Sequence, residues 1–184
     1  DLYESYCGSI LSTAALGAAA FALNGDMQLK AVIAPMLIAA VGIFLSIGGI
    51  LLVRTKEGAT MRDLLHSLNL GTNVSACFIA VATFVILYML NIENWIGVSF
   101  SVVCGLAAGV IIGSATEYYT SQSYKPTKTI AKSSQTGSAT VIIKGIGTGM
   151  ISTIVPVVTI SVAIMASYLC ANGFDMSMSS GSIS

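Results

Sequence analysis

The chain has 184 residues, no formal net charge, 55% hydrophobic residues and only 9% charged ones, with a mean hydropathy of +0.87. A soluble domain carries about 25% charged residues, so this composition excludes an ordinary water-soluble fold and points to a membrane protein. Zero net charge without a basic tract excludes nucleic acid as a partner.

Five apolar stretches follow one another, at about 1–23, 31–53, 74–90, 96–115 and 140–171. Each approaches or exceeds the ~20 residues that cross a hydrocarbon core as a helix. Barrel strands alternate over about 10 residues, whereas these runs are continuous, so the predicted fold is an all-α bundle of five transmembrane helices. The first span begins at Asp1 and carries Glu4, Ser5, Gly8, Ser12, Ala15 and Ala19 along one helical face. A face that is small throughout and polar at one end belongs in a bundle interior.

The second and third spans are joined by a loop at about 54–73 with Arg54, Lys56, Arg62 and the single histidine, His66. The fourth span carries Gly105, Gly109 and Gly113, spaced for close helix contact. A second loop, at about 116–139, holds Lys125, Lys128, Lys132 and Pro126, with a short interfacial helix expected at about 127–134. Basic residues favour the cytoplasm, so both loops face it and the first helix runs outward. The fifth span has Gly145 and Gly149 for packing, Lys144 to snorkel to the surface, and Pro156 to bend it midway. Cys7, Cys77, Cys104 and Cys170 all lie in apolar stretches and form no CxxC, so they read as small buried hydrophobes rather than as disulfide or zinc ligands. The chain opens inside a helical pattern, not on Met, and reads as an internal piece of a longer protein.

Asp1 and Glu4, one turn apart, are the candidate site. As a helix start in water they would favour the positive end of the helix dipole. If the helix continues upstream they lie within the membrane. Each charge then costs at least ~2.5–3.5 kcal/mol, and such residues usually mark ion or proton pathways. Two adjacent carboxylates tolerate each other only with a cation between them or a proton on one. With the Ser5 hydroxyl they suit a hard ion such as Na⁺. A segment of a secondary cation transporter or channel with an Asp1/Glu4 site is one reading of these residues, and a purely structural membrane module is another.

The stretch "DLYESYCGSILSTAALGAAAF" closely resembles the sixth transmembrane helix of membrane-integral pyrophosphatases. "SATEYYTSQSYKPTKTIAKSSQTGSATVIIKGIGTGMISTIVP" resembles that family's ninth and tenth helices and their connecting loop. The resemblance covers essentially the whole chain. It implies helices six to ten of a sixteen-helix subunit that hydrolyses cytoplasmic pyrophosphate and pumps Na⁺ or H⁺ outward across a prokaryotic inner membrane. It also implies a homodimer, with the tenth helix at the interface. By resemblance Asp1 couples hydrolysis to the gate, Glu4 is the gate carboxylate and Ser5 neighbours the ion. Plant-type proton pumps carry that glutamate one turn further along, where this chain has Gly8, so the resemblance favours Na⁺. The family's Mg²⁺–pyrophosphate ligands lie outside this chain, as do its K⁺ determinant and the lysine and aspartate that complete the gate. The chain therefore holds no catalytic residue and is expected to be inactive alone.

Overall fold

The computed structural model describes residues 2–54, 58, 60–92 and 94–171. Asp1, Lys56 and the C-terminal stretch 172–184 lie outside the described residues. The rest is helical: α1 (Leu2–Ala20), α2 (Gly25–Leu52), α3 (Met61–Met89), α4 (Trp95–Thr120), α5 (Lys125–Ser133), α6 (Ser138–Ser152) and α7 (Ile154–Ala171), with one 3₁₀ turn at Ser134–Thr136. No strand occurs among the described residues. Four stretches are long and apolar enough to cross a membrane: Gly25–Leu51, Asp63–Met89, Trp95–Thr136 and Ser138–Ala171. Among the described residues, α1 is not one of them. The fold is that of an all-α membrane protein.

The long helices pack antiparallel to their neighbours, joined by hydrogen bonds and ring contacts. Tyr6 donates its hydroxyl to Ala39 O at 3.1 Å and Gln28 donates its amide to Ala18 O at 2.9 Å, joining α1 to α2. Edge-to-face ring pairs, Phe84–Phe100 at 5.7 Å and Tyr88–Trp95 at 5.3 Å, join α3 to α4. The Asn94 amide donates to Ala171 O at 2.7 Å and the Ser167 hydroxyl to Ser101 O at 3.3 Å, so α7 lies along α4. Asn94 thereby satisfies one of the carbonyls that every helix C-terminus leaves free.

Among the described residues the core is built mainly from small and hydroxylated residues. Ala14, Ala34, Ala108, Ser75, Thr83, Ser99 and Leu87 are buried, whereas Phe44, Leu51, Phe78, Met89 and Ile143 are exposed. In lipid, large apolar groups gain nothing by leaving the hydrocarbon, and association comes from close packing of small residues. The three buried hydroxyls are each satisfied one turn back: Ser75 by Gly71 O, Thr83 by Ile79 O and Ser99 by Trp95 O. The α2 and α3 backbones approach closely. A Cβ on Gly71 would stand 3.1 Å from Gly49 O, and one on Gly49 would be 3.0 Å from Gly71 O and overlap the Ser75 hydroxyl. Only glycine at both positions lets these backbones meet.

Three expectations change. The stretch 54–73, expected as a loop, is helical from Met61, because Asp63 accepts from both the backbone N–H and the hydroxyl of Thr60 and so caps a helix that begins ahead of its apolar part. His66 accordingly sits exposed on α3. The cysteines, expected to be buried, are not: Cys7 and Cys77 are exposed, Cys104 and Cys170 half-buried. The glycine row of α4 touches no helix here, since a Cβ on Gly105, Gly109 or Gly113 would meet nothing within 4 Å. Gly145 and Gly149 are equally open. The fifth stretch breaks at Thr153, between α6 and α7. Pro156 lacks the N–H that would bond Ser152 O, and its ring crowds that carbonyl.

Candidate functional site

The first helix is rich in Ala, Ser and Thr, and its hydroxyls fold back onto its own carbonyls. Ser9 donates to Ser5 O at 2.8 Å, Ser12 to Ser9 O at 3.0 Å and Thr13 to Ser9 O at 2.8 Å. The helix therefore presents a low, polar ridge with no bulky branches. Glu4 lies near the start of the described part of α1.

Two opposite faces of α1 have different fates. Tyr6, Ile10, Ala14 and Gly17, at helical spacing, face α2. Tyr6 bonds Ala39 O, Ala14 is buried, and a Cβ on Gly17 would stand 2.9 Å from Ala31 O. Glu4, Gly8, Ser12, Ala15 and Ala19 lie on the other side and are all exposed, with Ser5 beside them. A Cβ on Gly8 would meet nothing within 4 Å. The small polar face, expected in a bundle interior, is thus uncovered by α2–α7. Neither Glu4 nor the Ser5 hydroxyl bonds another described residue. Asp1 lies outside the described residues, so its distance from Glu4 is not part of the geometry.

Beside this face a groove of about 940 Å³ opens between α1, α3 and α4. Ser9 and Thr13 form one wall, Asn69 and Asn73 another, and Gly105 and Gly109 a third. At its α3–α4 end is a polar knot around Glu117. The Asn69 amide donates to one Glu117 carboxylate oxygen at 2.6 Å and the Tyr124 hydroxyl to the other at 3.3 Å. Glu117 thereby ties the start of α3 to the α4–α5 connection. The available signal was a lone acid closing a long apolar helix, since no other acid occurs from Asn94 to Phe174.

Among the described residues, no three His, Cys, Asp or Glu side chains cluster as a metal site would require.

Residues 1–183 match the family model described as inorganic H⁺ pyrophosphatase. The chain is 64% identical over 179 residues to a putative K⁺-stimulated pyrophosphate-energized sodium pump of Bacteroides thetaiotaomicron, a match that covers 96% of this chain and 24% of that protein. A protein of the same description from Clostridium tetani is 36% identical over 180 residues, covering 97% of this chain and 25% of the relative. A K⁺-insensitive pyrophosphate-energized proton pump of Methanosarcina mazei is 35% identical over 175 residues, covering 94% and 24%. No solved structure gives a significant match. The chain spans about a quarter of the length of the curated relatives it matches.

Proposed function

The chain belongs to the inorganic H⁺ pyrophosphatase family, and from that premise we propose that it is the gate-bearing section of a pyrophosphate-energised pump that moves Na⁺ outward. It is part of a multi-pass integral membrane protein of a prokaryotic membrane. In this reading α1 carries the transported ion past Glu4, Asp1 couples the gate to hydrolysis, and Ser5 lends a neutral oxygen. Pyrophosphate and its Mg²⁺ are bound by the rest of the polypeptide. The subunit pairs as a homodimer, with part of the α6–α7 stretch in the contact.

The observation that carries the proposal is the uncovered face of α1. A carboxylate there has only small neighbours, Gly8, Ser12, Ala15 and Ala19, and none of the helices α2–α7 packs over it. Once other helices of the parent enclose that face, an unpaired anion becomes costly. A cation held beside the carboxylate then lowers the cost. Na⁺ is preferred because the 64%-identical relative is described as a sodium pump and because glutamate stands at position 4 with glycine at position 8.

The test is Glu4→Ala in the full-length protein reconstituted in vesicles. Pyrophosphate-driven ²²Na⁺ uptake is expected to vanish. Uptake at the unaltered rate would remove Glu4 from the path. Uptake of protons in place of Na⁺ by the unaltered protein would overturn the choice of ion and leave the role of Glu4 standing.

A further inference from the structure

We propose that the elbow between α5 and α6 holds the headgroup of an anionic phospholipid, its phosphodiester clamped between Lys132 and Lys144. A cavity of about 500 Å³ lies in this elbow. Lys132, Gln135 and Thr136 line it from the α5 side, and Thr140, Ile143 and Lys144 from α6. The elbow is held in shape by its own hydroxyls. Thr140 bonds Ser133 O at 3.0 Å, and the Thr136 and Thr140 hydroxyls are 2.8 Å apart. The cavity is therefore formed before any ligand arrives.

Its charge is one-sided. Lys125, Lys128, Lys132 and Lys144 fall in a stretch, 118–174, that has no Asp or Glu. Neither cavity lysine is paired with another described residue. Thr140, in the first turn of α6, brings the positive end of that helix to the rim. The position selects lipid over a free anion. The α6 helix opens the apolar stretch Ser138–Ala171, so the elbow sits where that stretch meets the membrane boundary. Ile143 lines the cavity, and Met150, two turns further along α6, is exposed, giving acyl chains an apolar wall to follow. Basic pockets beside membrane helices are known binders of anionic headgroups.

The full-length protein, stripped of lipid and returned to nanodiscs of phosphatidylglycerol or of phosphatidylcholine, supplies the test by native mass spectrometry. Phosphatidylglycerol should be retained and phosphatidylcholine not, and millimolar inorganic phosphate should leave retention unchanged. Lys132→Ala with Lys144→Ala should weaken retention roughly thirtyfold, about fivefold for each lysine, while Lys132→Arg with Lys144→Arg should keep it. Unchanged retention in the alanine pair would overturn the proposal, as would displacement of the lipid by phosphate. If the alanine pair fails to fold, salt decides: retention by the unaltered protein that does not fall with ionic strength would equally overturn it.

Discussion

At the scale of single residues, closeness in this molecule is achieved by leaving atoms out. Pro35 lies inside α2 and cannot donate to Ala31 O, one turn back. Gly17 of α1 lies against that same carbonyl, where a Cβ would be 2.9 Å from the oxygen. A freed acceptor is thus covered by a residue with nothing to collide with it. Gly49 and Gly71 repeat the device at the α2–α3 crossing. Replacing Gly49 by Leu should force the crossing apart and destabilise the protein by about 1–3 kcal/mol, the usual range for overpacking. Thermal unfolding of the full-length variant in detergent measures this, and an unshifted midpoint would contradict the contact. Glu4 stands out in the sequence because a carboxylate amid apolar residues is conspicuous. Glu117 was passed over because its partners, Asn69 and Tyr124, come from other elements, and no local spacing reveals them.

At the scale of elements, local chemistry was readable where it acts within a few residues. Pro156 was expected to bend its helix, and the chain breaks at Thr153. The short basic helix expected at about 127–134 forms at Lys125–Ser133, with Pro126 in its first turn, where a missing N–H costs nothing. The start of α3 was misjudged for the opposite reason. Hydropathy marks where a helix becomes apolar, not where its hydrogen bonding begins, and the Thr60–Asp63 cap sets the latter. Pro156→Ala should restore a donor for Ser152 O and merge α6 with α7. Hydrogen exchange on the full-length variant would then show the new amide at position 156 protected, like those of a continuous helix. Rapid exchange at that amide would mean that the break has another cause.

At the scale of the whole molecule, the all-α membrane fold follows from length and hydropathy, but the covering of faces does not. Two small-residue surfaces expected to pack, the Glu4 face of α1 and the glycine row of α4, contact no helix in this chain. Helical periodicity says which residues share a face. It does not say whose side chains will cover it, and here three quarters of the relatives' length lies outside the matched region. Residues 1–184, purified in detergent, should show no Mg²⁺-dependent pyrophosphate hydrolysis, and measurable turnover would place catalytic groups within this segment.

The turn between α3 and α4 fixes more than a local path. Only Leu90–Asn94 separate the two helices, and Asn91 and Asn94 hold the turn in left-handed backbone conformations, with φ of 51° and 55°. Five residues fully extended reach at most about 18 Å, well short of the ~30 Å hydrocarbon thickness. Neither helix can therefore settle on the wrong side while its neighbour is correctly threaded. During biosynthesis the pair has one topological decision to make instead of two, and an error in it inverts both helices together.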